Sequence, residues 1–422
     1  VLADMGPERA AAAPGLLAIA QDPAASEAKV AGALSVLGGL GADAASTEAA
    51  LIALRARRPS TSAQIDDALI AMHSRRSGAI FAERFGNQAP DIFQLRDLAE
   101  VGPASRDAGP AVVALLSNPE SEIRLGATLT LGFIGYAPSV DALIALLDDP
   151  VDARVAWAAA ESLGRLRDPR AISPLERTAR AHWYPPVRET AASAAASLRN
   201  GTTFVGKQED DDFQLRFIAV WNLGEGVANC SSPVDAPAAD LRYRKLSIKK
   251  DKASITKLAY PARLTSDDDP PPSMRPELAA YYADIAAKRA RWLKTAPDVV
   301  PQVAMRVNDG WLAGSDRGEF GGELVFVGDG GTRRQLAEVN VKDLHVLGKR
   351  IVMLEGLAHG AIHEIARAPD GTMRATPWRI LPGAPRTSWI TEHGELLIQL
   401  ESAGTVLVSP DGNMRMAPCR GV

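Results

Sequence analysis

The stretch "DALIALLDDPVDARVAWAAAESLGRLRDPRAI", Asp141 to Ile172, decides the architecture of the first half of the chain. Leu143, Ile144 and Leu147 recur at the spacing of one helix face, and Pro150 in "DDP" ends that helix. Val155, Ala158, Ala159 and Leu163 then line a second helix, which is expected to stop near Gly164. The small alanines let two helix backbones approach closely. The pattern recurs on both sides. Pro119 in "VVALLSNPESEIRLGATLTLGFIG" lies 31 residues before Pro150, and Arg188 in "PLERTARAHWYPPVRETAASAAASL" lies 34 after Arg154. A weaker copy, "LLAIAQDPAASEAKVAGALSVLGGLG", opens the chain. Helical pairs at this period bury their faces only against neighbouring pairs, which predicts an α-solenoid over residues 1–202.

These copies resemble HEAT-like repeats, especially the short variety of phycobilisome-lyase-type proteins, closely over 108–199 and loosely over 8–100. "HSRRSGAIFAERFGNQAPDIFQ", His73 to Gln94, departs from the pattern. The resemblance implies a surface that binds other macromolecules. Arg124, Arg154 and Arg188 open the second helices. They read either as a basic row for an acidic ligand or, more simply, as side chains bonding between successive repeats. Trp183 and Tyr184 in "AHWYPPVRE", with Arg188, are candidate partner-binding residues, because Trp and Tyr are enriched in binding hot spots. The other reading makes them a seam that seats the next domain.

The last third repeats a phrase. "PDGTMRATP" begins at Pro369 and "PDGNMRMAP" at Pro410, so Asp370 and Asp411 lie 41 residues apart; Asp329 lies 41 before Asp370. Each is preceded by glycine and alternating apolar residues, and Asp-Gly between such runs signals a hairpin whose two turn residues take positive φ. A strand–strand–turn–strand unit repeating about every 40 residues matches the length of a β-propeller blade. Residues 299–422 therefore read as a propeller-like β domain of three repeats. Residues 203–298 read as a mixed segment, with β patterns in "FQLRFIAVWNL" and "LRYRKLSIKKDKASITKLAY", an acidic proline-rich linker, and an amphipathic helix over 275–295. The fold class is α+β multidomain: an α-solenoid followed by an all-β propeller-like domain.

Composition narrows the partners. The chain has 47 basic and 51 acidic residues, a net charge of −4, and residues 1–202 hold 19 basic and 23 acidic. This argues against nucleic acid, whose binding rests on neutralised phosphates. No apolar run is long enough to span a bilayer. A chain starting at Val1 fits a removed leader or a trimmed start. Cys230 and Cys419 fit a disulfide in a periplasmic or secreted protein, with a cytoplasmic location as the alternative.

No catalytic constellation emerges. His359 and His363 lie four apart in a turn entering a strand, where that spacing lacks helical geometry, and His-Glu-x-x-His is absent. Neither His73 nor His182 is followed by Glu, as di-iron enzymes on HEAT-like scaffolds would require. No metal or cofactor is expected. Asp316, Arg317 and Glu319 in "SDRGEFGGE", with His359, form a candidate ligand site at one mouth of the β domain. The leading reading is a non-enzymatic protein-binding or scaffold protein; the alternative is an enzyme or small-ligand receptor using that mouth.

Overall fold

The computed structural model describes residues 6–87, 90–206, 223, 227, 244–249, 252–257, 301–330, 333–357 and 359–418. The expected helix over 275–295, nearly all of "FQLRFIAVWNL", and both cysteines lie outside the described residues. The chain divides into two compact units, Val1–Leu223 and Gly224–Val422.

Among the described residues the first unit holds twelve α-helices, which pair in sequence. The pairs are α1 (Ala13–Gln21) with α2 (Glu27–Gly39), α3 (Glu48–Arg57) with α4 (Ser62–Ala71), and α5 (Ser77–Asn87) with α6 (Ile92–Val101). They continue with α7 (Gly109–Ala114) and α8 (Ser121–Phe133), α9 (Val140–Leu146) and α10 (Ala153–Leu166), and α11 (Ile172–Ala181) and α12 (Pro185–Asn200). The stretch His73–Gln94, which departs from the repeat pattern in sequence, supplies α5 and the start of α6, so the pairing runs through it. Local chemistry sets the starts. Asp91 accepts from Gln94 N–H at 2.8 Å while Gln94 Oε1 accepts from Asp91 N–H at 3.1 Å, a reciprocal cap for α6.

The second helices of the pairs form the inner stack: α2 on α4, then α6 on α8, α8 on α10 and α10 on α12. The same kind of bond joins successive members. Thr130 Oγ1 donates to Leu95 O at 3.0 Å, and Ser162 Oγ donates to Thr128 O at 2.7 Å, both buried. Gly132 makes the second approach possible, since a Cβ there would sit 2.6 Å from Ser162 Oγ. Helix α10 stops close to Gly164, running to Leu166 and ending at Arg167, whose φ of 56° is left-handed. The missing side chain of Gly164 also leaves a notch for the ring of Phe204, which returns from beyond α12 into the core beside Ala160, Leu163 and Ala195.

The second unit is built from antiparallel sheets. β1 (Arg244–Lys249) and β2 (Lys252–Lys257) form a hairpin that joins β3 (Val303–Val307) in parallel, and β4 (Gly310–Ser315), β5 (Glu323–Gly328) and β6 (Arg333–Ala337) continue this six-stranded sheet. A four-stranded sheet follows in chain order: β7 (Val341–Leu347), β8 (Arg350–Gly356), β9 (Gly360–Arg367) and β10 (Met373–Leu381). The third comprises β11 (Pro385–Ile390), β12 (Leu396–Leu400), β13 (Thr405–Val408) and β14 (Met414–Met416). Val303, Met305, Leu312 and Leu324 of the first sheet pack against Val341, Leu344, Met353 and Ile365 of the second.

The 41-residue register marks one connection, the last two strands, in every sheet. The turn type corrects the expectation of two positive φ values. Only Gly371 (φ 79°) and Gly412 (φ 89°) are left-handed; Asp370 and Asp411 are not. The preceding proline holds its own φ near −65°, which favours a type I turn with the left-handed residue after it. Gly371 N–H donates to Ala368 O at 2.9 Å and Gly412 N–H to Ser409 O at 2.8 Å, closing equivalent turns.

Candidate functional site

The solenoid turns within each pair lead into the second helices, and there the arginines singled out by sequence are already engaged. Arg124 Nη1 donates to Asn118 O at 2.8 Å and Pro119 O at 3.1 Å. Arg188 Nη1 repeats this on His182 O at 2.8 Å and Trp183 O at 3.2 Å. Both brace the turn that precedes their helix. Arg154 lies deeper, with a side chain 1% exposed, and spans two repeats: Nη2 reaches Asp152 at 2.9 Å and Glu122 at 2.8 Å. Asp152 also accepts from Ser121 Oγ at 2.5 Å. Burial would raise the Asp152 carboxyl, but the Arg154 charge and hydrogen bonds outweigh it and hold it below its ordinary value. These arginines are tied to the repeats' own turns and acids and do not form a row open to an acidic ligand.

Of the aromatic pair, only Trp183 offers surface. Tyr184 is 0% exposed at the N-cap of α12, where Pro185 and Pro186 make the turn rigid and direct its ring inward. Burial pushes its phenol well above the usual range. Trp183 is half-buried, stacked on His182 at 6.0 Å and tilted over Tyr184 at 5.0 Å. The buried His182 Nδ1 accepts from Tyr184 N–H at 3.1 Å. Desolvation lowers the His182 pKa to about 4. Phe93, absent from the sequence-based candidates, is 62% exposed in the first turn of α6 with the Arg96 guanidinium 5.4 Å from its ring centre. The signal was "DIF", an aromatic two residues after a capping aspartate, in a first helical turn where a core-facing residue is not required.

In the β unit, Asp316, Arg317 and Glu319 occupy the β4–β5 connection and His359 the corresponding β8–β9 connection, with His363 on β9. Asn340 links the two connections: its Oδ1 accepts from Arg317 N–H at 3.1 Å and its carbonyl from Gly356 N–H at 3.2 Å. Asp316 is bound by Lys342 Nζ at 2.6 Å and caps Gly318 N–H at 3.0 Å, and its backbone bonds Gln302. Glu319 is exposed. Next to this loop, Glu323 is 2% exposed and accepts from Arg333 Nη2 at 2.8 Å. Burial raises its pKa despite Arg333 and Arg317 nearby.

One further cluster joins two sheets. His345 Nε2 lies 2.8 Å from Ser388 Oγ, and Ser388 Oγ donates to Asp343 Oδ2 at 3.1 Å. Asp343 Oδ2 also stands 3.4 Å from the same His345 nitrogen. A nucleophilic triad needs the acid on the opposite imidazole nitrogen. This arrangement is therefore a polar clasp between β7 and β11. Sequence spacing could not have found it, since its members are 43 and 45 residues apart. Among the described residues, no group of three or more His, Cys, Asp or Glu side chains is placed to hold a metal ion, and no helix is long and apolar enough to cross a membrane.

Stacked helical pairs with bonds repeating from pair to pair define the first unit as a helical-repeat solenoid. Residues 94–158 and 109–196 match the family model for HEAT repeats. The first unit is thus a HEAT-like solenoid, and the match covers its second half. No curated protein matches the chain.

Proposed function

We propose that this chain is a non-enzymatic protein-binding or scaffold protein that engages a protein partner along the intra-pair turn edge of its solenoid. The observation that carries this reading is Phe93, 62% exposed on the same edge as Trp183, three helical pairs away. At the 8–10 Å spacing of packed helices, the two rings stand roughly 25–30 Å apart. That span suits a polypeptide and exceeds a small ligand. Aromatic side chains of this kind anchor interfaces. A protein partner, and not a nucleic acid, agrees with the net charge of −4.

Finer readings accompany this one. We take the repeats to be of the phycobilisome-lyase type, as their short period suggests. We take the β unit as propeller-like: it consists of consecutive four-strand meanders whose first strands, β3, β7 and β11, pack in succession. Export to the periplasm or beyond, with Cys230 bonded to Cys419, rests on the even pair of cysteines in the sequence. The second reading, a ligand site at the β4–β5 connection, draws on the buried, pKa-raised Glu323 between Arg333 and Arg317.

The test is affinity capture from an extract of the source organism, comparing wild type with Phe93→Ser plus Trp183→Ser after both are shown to be equally helical. A protein enriched by wild type and lost from the variant supports the edge as the docking surface. Equal capture by both, or none by either, overturns it.

A further inference from the structure

We infer that the solenoid is jointed: α1–α4 form one rigid block, α5–α12 form a second, and the two move against each other at the α4–α5 seam. In a repeat stack each pair is coupled only to its neighbours, so one weak interface divides the whole into independently moving parts.

The core itself is divided there. One buried cluster runs from Ala13 to Ile80 and a second from Phe81 to Phe204, so adjacent residues of α5 belong to different cores. Only the half-buried Ile70 packs against both. The inner stack breaks at the same place. Helices α2 and α4 pack closely, with Gly38 letting Ala68 and Ala71 approach to where a Cβ would stand 3.2 Å from each. Beyond the break, the Thr130–Leu95 and Ser162–Thr128 bonds join α6, α8 and α10. Helix α4 has no such stacking on α6.

Ile80 of α5 is buried in the first core and Ile70 of α4 touches the second, and the side-chain bonds that cross the seam beside them are polar. Arg84 reaches Asp67 at 2.7 Å and Arg55 reaches Glu83 at 3.0 Å, both with a well-exposed acid. Such pairs contribute little stability, and their long side chains can follow a moving partner. Ser77 Oγ adds a 3.4 Å bond to Leu69 O. The covalent link is a tight turn in which His73 adopts a φ of 53°, a left-handed conformation uncommon outside glycine and well suited to absorbing a change of direction. By contrast α5 is held firmly to the second block. Gly78 lies so close to the 102–108 segment that a Cβ there would be 2.7 Å from Ser105 O. The HEAT-repeat match also begins beyond the seam, at residue 94.

The test uses the full chain with ketone-bearing amino acids at two exposed positions, labelled with nitroxides so that Cys230 and Cys419 stay untouched. Labels at 28 and 196 span the seam; labels at 114 and 196 lie within the second block. Electron–electron dipolar spectroscopy should give a distance distribution at least about twofold broader for the first pair. Asp67→Leu with Arg84→Leu, which replaces a polar bridge by apolar contact, should narrow that distribution and leave the 114–196 pair unchanged. Equally narrow distributions overturn the inference. So do equally broad ones, since motion would then be spread over all repeats.

Discussion

Both units repeat a short motif, but they couple their copies in different ways. In the solenoid, bonds run from one copy to the next: Thr130 to Leu95 and Ser162 to Thr128, both buried, and Arg154 to Glu122, partly buried. A single helical pair cannot bury its own inner face. In the β unit each copy closes its own hydrogen-bonded sheet, and neighbouring sheets are fastened by side chains and turn edges. Arg367 to Asp309, Arg379 to Gly412 O and the His345–Ser388–Asp343 clasp are such fastenings. Damage to one solenoid repeat should therefore reach its neighbours, whereas damage to one β turn should stay in its own sheet.

Arg154→Ala should have the largest effect. It leaves Asp152 buried without its partner, and the expected loss is about 3–5 kcal/mol. Urea unfolding followed by helical circular dichroism should register the loss, while the tryptophan signals of the β unit should hardly move. A loss shared equally by both units would contradict the contrast.

A pH series probes the same repeat edge. Burial holds His182 at a pKa of about 4 against an ordinary 6.5, so it stays neutral in the folded chain while the unfolded chain takes up a proton below pH 6.5. Stability present above pH 6.5 is lost progressively down to about pH 4, on the order of 2–3 kcal/mol. His182→Gln should flatten that slope, as read from unfolding midpoints at each pH.

The two Pro-Asp-Gly turns allow a comparison within the β unit. Gly371→Ala should cost about 1 kcal/mol for its left-handed backbone alone. Gly412→Ala should cost about 2 kcal/mol or more, since a Cβ there would also meet Trp378 and Arg379. Thermal midpoints of the two variants decide it; equal shifts would mean that Gly412 does not fasten the second sheet to the third.

The smallest effect expected is at Asp370. The Thr372 hydroxyl and N–H, with Arg374, hold its carboxyl near pKa 2, below the ordinary 3.8. The contribution is present above pH 4 and fades as pH falls toward 2. Carboxyl-carbon NMR titration should show Thr372→Val raising this pKa without disturbing the rest of the sheet.

The two kinds of repeat are written in the order of the residues. Apolar spacing of three to four residues before "DDP", and Asp-Gly every 41 residues, are local patterns, and local patterns follow from helix pitch and strand alternation. Trp183 was legible for the same reason, because turn chemistry places it. Which way side chains face, and which distant residues meet, came from the packing of the elements. Tyr184 looked equivalent to Trp183, yet two prolines turned it into the core. Gly164 announces the nearby helix end, but nothing local says that its vacancy is filled by Phe204, forty residues later. Phe93 is exposed only because Ile92 and Leu95 take the inward positions against Gly126. Ser388 meets His345 only because β11 packs beside β7. Burial and long-range pairing depend on the packing of whole elements, and no window of neighbouring residues contains that information.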